Sequence, residues 1–330
     1  MTVPATMRAA FIRATGGVER IEVGDLPTPV PGPTDVLVRM EVSSVNHVDL
    51  FVRSGAYRTP TPFPFVIGRD LVGTVAAAGP GVAGFAPGDR VWCNSLGHGG
   101  RQGAFAEYAV VPVDRLYPLP AGVAAETAAP VLHGAATAHV GLFREARLAP
   151  GETVFVGGAG GAVGSALVQL AAAAGARVVA TSSPRDVAWC TESGAAAVIP
   201  YDAADFDEQV RAAAPGGFDV WWDNSGHHDF ERTLPLLRQG GRVVLMAGLG
   251  AAPVLPVGAL YVRDLSLHGF AISNASVSDL AAAATVINAG LASGRLRVRV
   301  GATYPLADAA KAHAALESGS VRGRILVRPN

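Results

Sequence analysis

The sequence predicts an α/β protein in which a doubly wound parallel sheet is joined to a smaller, barrel-like β domain. Three observations carry this prediction. Short apolar segments alternate with proline- and glycine-rich turns in the first third of the chain. From about residue 126 onward, strand and helix patterns alternate, which is typical of a parallel sheet covered on both faces. A glycine cluster at residues 157–164 follows a strand and opens a helix, as in a dinucleotide-binding βαβ unit.

Length and composition limit the alternatives. The chain has 330 residues, half of them apolar, which is enough for two packed domains. Its formal net charge of −1 provides no basic surface for a nucleic-acid partner. The two cysteines, Cys93 and Cys190, cannot form a disulfide framework, and the first ten residues lack the apolar core of a signal peptide. We therefore expect a cytoplasmic protein without nucleic-acid or membrane partners.

The amino-terminal part, residues 1–125, is predicted to form a β domain. Turn signals such as Gly79–Pro80–Gly81 and Pro87–Gly88–Asp89 separate short segments rich in β-branched residues. Many short strands at such spacing favour an antiparallel, barrel-like arrangement. Strands are predicted at residues 7–12, 36–42, 71–77, 90–92 and 105–111.

The middle of the chain, residues 126–265, is predicted to form the coenzyme-binding domain. Residues 266–330 would supply the last strand of the sheet and a segment that returns to the first domain. Helices are predicted at residues 126–138, 140–147, 163–174, 184–193, 206–214, 230–238 and 278–291. Strands are predicted at residues 153–156, 177–181, 197–199, 218–222, 241–247 and 265–270, with extended segments at 297–305 and 325–328.

The glycine cluster contains the pattern A-x-G-x-x-G, formed by Ala159, Gly161 and Gly164. The N-terminus of a helix leaves backbone N–H groups unpaired and carries the positive end of the helix dipole, so a pyrophosphate binds there favourably. Glycine is needed where a Cβ would push away the phosphates or the strand. The first position departs from the usual glycine, and a glycine-rich loop without a ligand is the alternative interpretation.

The end of the second strand of the βαβ unit, predicted at residues 177–181, indicates which coenzyme is bound. An acidic residue at this point binds the ribose 2′-hydroxyl in NAD-dependent proteins. Here the strand ends in Ser182 and Ser183, with Arg185 following, so a 2′-phosphate and hence NADP(H) is favoured. The alternative is a plain helix start, with Ser183 as N-cap, Asp186 as the first-turn acid and Arg185 exposed to solvent.

Together, these motifs resemble the medium-chain dehydrogenase/reductase superfamily, and within it the zinc-independent, quinone oxidoreductase-like branch. The resemblance covers nearly the whole chain, and the order of the motifs is more specific than any one of them. It implies a Rossmann-type sheet and, over residues 1–125, a GroES-like β domain that holds the substrate and the catalytic groups. Beside the glycine loop it runs through VNHVD (45–49), RSGAY (53–57), FVIGRDLVG (65–73), GFAPGDRV (84–91), GAFAEY (103–108), GGRVV (240–244) and GRILV (323–327).

The resemblance also separates this chain from zinc alcohol dehydrogenases. Asn46 stands where those enzymes have a ligand cysteine, and Gly68–Arg69–Asp70 stands where they have Gly-His-Glu. Two cysteines cannot form a four-cysteine structural zinc site. We therefore expect no metal. Without a Lewis acid, the reduction of an activated acceptor is favoured over the oxidation of a simple alcohol.

By resemblance, the coenzyme would contact residues along the ends of the parallel strands. The pyrophosphate loop would be Gly160, Gly161, Ala162 and Val163, and the adenosine end would lie near Ser182, Ser183, Arg185 and Tyr201. The nicotinamide half would meet His227, Ala247, Gly248, Leu249, Phe270, Ala271 and Ile272, with Arg324 reaching in from the tail. His227 and His228 are adjacent on a loop and point apart, so they do not suggest a joint metal or catalytic site.

Candidate acceptor-binding and catalytic residues are Asn46, Asp49, Phe51, Tyr57 and Thr137. Tyr57 could donate a proton, although water could do the same, and Phe51 and Phe65 would form apolar walls. Other interpretations stay open, because Asn46 could merely fix a turn, Asp49 could cap the next helix, and Tyr57 could be a half-buried wall residue.

These residues favour an NADPH-dependent reductase of quinones or α,β-unsaturated carbonyls. A reductase of enoyl thioesters on the same scaffold is an alternative, for which Arg295, Arg297 and Arg299 on a predicted strand could form a basic patch. A non-catalytic NADPH-binding protein is another. The exposed edge of the strand at 265–270, together with the resemblance, favours a homodimer.

Overall fold

The computed structural model describes residues 3–329 and divides into two compact units. Unit 1 contains the residues up to His133 together with those from Val277 onward, and unit 2 is Gly134–Ser276. The boundaries differ from the expected positions after residues 125 and 265. The reason at the first boundary is that the short helix Ala125–Ala128 packs against the β structure of unit 1.

The strands follow one another along the chain with the following bounds: β1 Thr6–Ile12, β2 Glu22–Pro27, β3 Asp35–Ser44, β4 Phe65–Val66, β5 Leu71–Ala78, β6 Arg90–Cys93, β7 Tyr108–Pro112, β8 Tyr117–Pro118, β9 Thr153–Gly157, β10 Arg177–Ser182, β11 Ala197–Pro200, β12 Phe218–Asp223, β13 Leu237–Leu245, β14 Ser266–Gly269, β15 Val300–Pro305 and β16 Arg324–Arg328.

The α-helices have these bounds: α1 His47–Ser54, α2 Ala125–Ala128, α3 Leu132–His139, α4 Ala162–Ala173, α5 Val187–Glu192, α6 Phe206–Ala213, α7 Phe230–Thr233, α8 Val257–Tyr261, α9 Val277–Ala292 and α10 Ala309–Glu317. A π-helical segment, Val140–Glu145, continues α3. No helix in the described part of the chain combines the length and the apolar character needed to cross a membrane.

Unit 1 is a β structure, as predicted. A three-stranded sheet has the order β2-β1-β4, and a seven-stranded sheet runs β15-β16-β3-β5-β6-β8, with β7 also paired to β3. Strand β3 is buried along most of its length because it has partners on both sides. The C-terminal strand β16 pairs antiparallel with β3, with Leu326 opposite Ser44 and Val327 opposite Ser43. This pairing brings the tail of the chain back into unit 1.

Unit 2 contains the predicted parallel sheet, with six strands in the order β11-β10-β9-β12-β13-β14. The order reverses between β9 and β12, which makes the sheet doubly wound. Its core is aromatic: Phe155 of β9 stacks on Trp221 of β12 at 3.5 Å between ring centroids, and Phe218 meets Phe155 edge-on. The α/β architecture predicted from the sequence is therefore confirmed.

Several local predictions need correction. The helix predicted at 126–138 is two helices, because Pro130 cannot continue the backbone hydrogen bonding of α2. The helix predicted at 230–238 ends early, and β13 already begins at Leu237. Strands β2 and β4 and helices α8 and α10 were not predicted. The three arginines at 295, 297 and 299 precede β15 and do not alternate on a strand.

Candidate functional site

The carboxyl ends of the parallel strands in unit 2 form the first candidate site. In chain order they are Gly157, Ser182, Pro200, Asp223, Leu245 and Gly269. All six strands run in the same direction, so these ends and the loops after them lie along one edge of the sheet. Ligands of such sheets bind outside the carboxyl ends, at the point where the strand order reverses. In this sheet that point lies between β9 and β12.

The glycine loop follows β9 at this point, and neighbouring groups hold it in place. The backbone N–H of Ala159 donates to the carbonyl of Thr181 on β10 at 2.8 Å. The Ser165 hydroxyl donates to the Ala159 carbonyl at 3.2 Å and accepts the indole N–H of Trp189 at 2.8 Å. The loop is therefore anchored from behind by the next strand and by α5.

Helix α4 begins at Ala162, with Gly161 as its N-cap, and turns tightly against the loop. A Cβ on Gly164 would lie 2.2 Å from the Gly158 carbonyl oxygen and 2.7 Å from the Ala159 Cα, so only glycine fits there. The first N–H groups of a helix have no partner within the helix. The last glycine of the pattern therefore lets the helix start close enough to present these donors to a pyrophosphate.

The adenosine end of this site is more mixed in charge than the sequence suggested. Arg185 is exposed, but the Ser183 hydroxyl donates to the Asp186 carboxylate at 2.8 Å. That carboxylate also lies beside the glycine loop, since a Cβ on Gly160 would be 2.8 Å from Asp186 Oδ2. The Ser182 hydroxyl is buried and donates to the Ser183 carbonyl at 3.0 Å. A positive and a negative side chain thus flank the end of β10.

The remaining expected coenzyme contacts in unit 2 lie on loops at the same edge. Tyr201 is 63% exposed, and its N–H donates to the Ser182 carbonyl at 3.0 Å. His227 is exposed, while the ring of Phe270 packs edge-on against Trp222 at 5.8 Å. The other positions follow β13 and β14; they are Ala247, Gly248, Leu249, Ala271 and Ile272. Sequence reasoning therefore placed these residues on one edge of one sheet.

Arg324 lies elsewhere, in unit 1, where its side chain is buried. Its Nη2 donates to Asn46 Oδ1 at 2.6 Å and to the Ser44 hydroxyl at 2.9 Å. The resemblance implied a coenzyme contact for this residue. In the structure the guanidinium has partners within unit 1, because β16 pairs with β3 at Ser44. The coenzyme contact stays a prediction.

Around Arg324, unit 1 contains a buried polar cluster formed by Ser44, Asn46, Asp49, Asp70 and Arg324. The Asn46 amide donates to Asp70 Oδ2 at 3.0 Å, and the Ser44 hydroxyl donates to the same oxygen at 2.6 Å. The Asn46 backbone N–H donates to Asp49 Oδ2 at 2.8 Å. All five residues are almost fully buried. The cluster therefore holds two carboxylates and a guanidinium away from water.

Burial changes the protonation of both carboxylates. Desolvation, and after it the neighbouring charge of Asp70, raise the pKa of Asp49 to about 7. Desolvation likewise raises the pKa of Asp70 to about 6, although hydrogen bonds from Ser44 and the charge of Arg324 oppose the shift. At neutral pH a proton is thus readily held within the cluster.

This arrangement bears on the roles open to the predicted acceptor residues. The Asn46 amide is engaged on both sides by Asp70 and Arg324, and Asp49 caps α1 through the Asn46 N–H. Phe51 is 40% exposed and Tyr57 is half-buried on the same unit. Thr137 is buried on the part of α3 that belongs to unit 2. Asn46 and Asp49 thus position each other and their neighbours.

Three further observations were not available from the sequence. His133 is partly buried, and its Nδ1 lies 3.9 Å from Asp70 Oδ1, so it borders the cluster. The ring of His98 lies 5.7 Å from that of Tyr57, centroid to centroid. Phe65, expected to be an apolar wall, is 1% exposed and belongs to the core of unit 1. These contacts join residues that are far apart in the chain, so local sequence patterns do not predict them.

The side chains of the described residues do not provide the ligands that a zinc ion needs. Within residues 3–329, no group of three or more His, Cys, Asp or Glu side chains is arranged to hold a metal ion. Beside Asp70 lie two buried guanidiniums, those of Arg69 and Arg324, whose charges act on its carboxylate. Zinc needs at least three Cys, His or carboxylate ligands, and the two positive charges oppose the binding of a cation at Asp70, so this donor set does not fit zinc.

The fold and the glycine loop define a class of protein, a nucleotide-binding dehydrogenase with a GroES-like domain. Residues 32–121 match the family model "Alcohol dehydrogenase GroES-like domain" and residues 162–288 match "Zinc-binding dehydrogenase". The name of the second model refers to zinc, for which the described part of the chain has no fitting donor set.

Individual relatives narrow the class. Quinone oxidoreductase of Mus musculus is 32% identical over 319 residues, covering 95% of each chain. A solved structure described as an NAD-dependent alcohol dehydrogenase has a TM-score of 0.89 and 34% identity, covering 98% of this chain and all of the other. A mycobacterial protein in complex with NADPH has a TM-score of 0.85 and 32% identity, with the same coverage. The chain belongs to the medium-chain dehydrogenase/reductase superfamily, in its zinc-independent quinone oxidoreductase-like branch, and is an oxidoreductase.

Proposed function

We propose that this protein is an NADPH-dependent reductase of a quinone or an α,β-unsaturated carbonyl, and that it works without a metal. The observation that carries the proposal is the anchored glycine loop at the start of α4, next to a strand end that has Arg185 and no acidic residue at its tip. The similarity to quinone oxidoreductases and to a protein in complex with NADPH supports the same choice.

The chain's own residues suggest how the coenzyme would be held. The N-terminal donors of α4, at Ala162 and Val163, would bind the pyrophosphate, which the positive end of the helix dipole also attracts. Exposed Arg185 is free to turn toward a 2′-phosphate, where a charge-assisted hydrogen bond is stronger than a neutral one. Loops after β12, β13 and β14 would enclose the nicotinamide half. Unit 2 would thus carry the coenzyme.

The acceptor would contact unit 1. When bound, the reduced nicotinamide supplies a hydride to the activated acceptor. Negative charge then develops on the acceptor's oxygen, and the protein's task is to orient that oxygen and to place hydrogen-bond donors on it. Tyr57 is half-buried and carries a hydroxyl suited to this role. Asn46 and Asp49 would act through their neighbours, because their polar atoms are occupied inside the cluster.

The proposal is tested by measuring NADPH and NADH oxidation in parallel against 1,2-naphthoquinone, an alkenal and an enoyl thioester. Turnover of the quinone or the alkenal with NADPH preferred is the expected result. Arg185→Ala should lower the preference for NADPH about tenfold or more, because it removes a charge-assisted contact to the phosphate. Arg211→Ala, an exposed arginine on α6, is the matched control and should leave the preference unchanged.

Each contrary result has a distinct meaning. An NADH rate equal to the NADPH rate would overturn the coenzyme assignment but leave the acceptor assignment standing. Turnover of the enoyl thioester alone would point to a different acceptor class. Coenzyme binding without turnover of any acceptor would make the protein a non-catalytic NADPH-binding protein.

We also infer that the protein forms a homodimer in the cytoplasm. Among the described strands, β14 pairs on one side with β13 and leaves its other edge open. A second copy would cover such an edge. Both cysteines are free and buried, which suits a reducing compartment. Light scattering would test the assembly, and a monomer at micromolar concentration would contradict it.

A further inference from the structure

The loop that carries His98 is held firmly against the segment that follows Tyr57 in unit 1. The N–H of Gly99 donates to the Thr59 hydroxyl at 2.8 Å, and the N–H of Gly100 donates to the Pro60 carbonyl at 3.1 Å. As a result the rings of Tyr57 and His98 lie side by side, 5.7 Å between centroids and inclined by 41°. Two polar aromatic side chains from separate segments are thus placed together.

The surroundings of the imidazole determine where its proton lies. His98 Nδ1 is buried and has no hydrogen-bond partner within the described residues, while the residue as a whole is partly exposed. A buried N–H without an acceptor is destabilising, and buried N–H groups without a partner are rarer than buried acceptors without one. The proton therefore belongs on Nε2, and Nδ1 keeps the lone pair.

The charge state of His98 is fixed by the same environment. Burial is the largest cause that lowers the pKa of His98 to about 4, and the positive charges of Arg69, Arg101 and Arg115 add to it. Arg101 is itself tied down, since its Nε and Nη2 donate to the Ser95 carbonyl at 3.2 and 3.1 Å. At neutral pH His98 is therefore a neutral imidazole.

We propose that the Nε2–H of His98 donates a hydrogen bond to the oxygen of the acceptor and forms, with the Tyr57 hydroxyl, the donor pair that stabilises charge on that oxygen. The inference rests on the proposed reductase function. His98 transfers no proton: the acceptor takes its hydride from the reduced nicotinamide and its proton from water. A neutral donor suits the task, because it stabilises an anionic oxygen without losing its own proton.

Kinetics of matched variants test the donor role. His98→Phe keeps an aromatic ring beside Tyr57 but removes the donor, and His98→Gln restores a donor. His139→Phe is the control, because that histidine packs on Phe143 in unit 2, with 5.0 Å between the rings. With 1,2-naphthoquinone and an alkenal, His98→Phe should lower kcat on the order of 100-fold, with the KM for NADPH unchanged and with partial recovery in His98→Gln.

A second readout does not depend on turnover. Nitrogen NMR of protein labelled at histidine, with His98→Phe used to assign the resonance, should show a neutral ring protonated on Nε2 from about pH 5.5 to about pH 8. A proton on Nδ1, or titration near pH 6.5, would overturn the proposal.

Different results would overturn the proposed function and the role of His98. A wild-type protein that reduces no acceptor in the panel would remove the proposed function and this inference together. A wild-type protein that is active while His98→Phe matches His139→Phe would overturn the His98 assignment alone.

Discussion

The glycine loop of unit 2 and the buried polar cluster of unit 1 are built in opposite ways. The loop and the helix start occupy a single short stretch of sequence, and the groups available to a ligand there are backbone N–H groups. In the cluster, by contrast, side chains make the hydrogen bonds, and the bond from Arg324 to Ser44 joins residues 280 positions apart. The glycine loop depends on a close approach of backbone segments. The buried polar cluster depends on opposite charges that compensate one another where water is excluded. The variants below are expected to separate these two dependences.

The largest effect is expected from Arg324→Met. Removing this guanidinium would leave the buried Asn46 Oδ1 without its donor and would take away the positive charge that faces the buried Asp70. The free energy of unfolding should therefore fall by about 3–5 kcal/mol in urea denaturation. Arg328→Met on the same strand, where Arg328 lies 3.8 Å from Glu126 at the surface, should cost at most about 1 kcal/mol.

The affinity of Arg324→Met for NADPH tests whether Arg324 contacts the coenzyme. The side chain of Arg324 has partners in unit 1, so the Kd for NADPH should stay within about twofold of wild type where the variant is folded. A much larger loss of affinity would show that Arg324 contacts the coenzyme, as the family resemblance implies.

Asp49→Asn tests the electrostatics of the cluster through pH. The pKa of Asp49 is raised in the folded state, so the native protein keeps a proton that the unfolded chain has lost. Stability should therefore fall as pH rises from about 4 to about 7. The variant lacks this titration, so its stability relative to wild type should increase by on the order of 2–4 kcal/mol between pH 5 and about pH 9. A constant difference across that range would show that Asp49 is ionised throughout.

Gly164→Ala tests the backbone-built site. The new Cβ would meet the Gly158 carbonyl oxygen at 2.2 Å, so the loop must move away from α4. We expect a loss of about 1–3 kcal/mol in stability and a loss of NADPH affinity on the order of tenfold or more. Gly258→Ala is the control, because nothing lies within 4 Å of a Cβ there. Equal affinities in the two variants would contradict the assignment of the loop to the pyrophosphate.

The smallest effect concerns Asp186, which lies beside Gly160 at the adenosine end. Asp186→Asn removes a negative charge close to a 2′-phosphate and should raise kcat/KM for NADPH relative to NADH by up to about tenfold. Asp264→Asn, at a position with φ of 54° that asparagine tolerates, is the control. An unchanged ratio would mean that the phosphate lies away from this carboxylate.

The sequence by itself determined the α/β architecture, the position of the glycine loop and the loops at the strand ends, because these depend on local periodicity and on residues close together in the chain. It could not reveal that Asn46 is occupied by Asp70 and Arg324, that Asp186 lies beside Gly160, or that His98 lies beside Tyr57. Those contacts arise only when strands and loops far apart in sequence pair in space. Burial and neighbouring charge, which only the tertiary structure provides, then decide which polar groups remain available for chemistry.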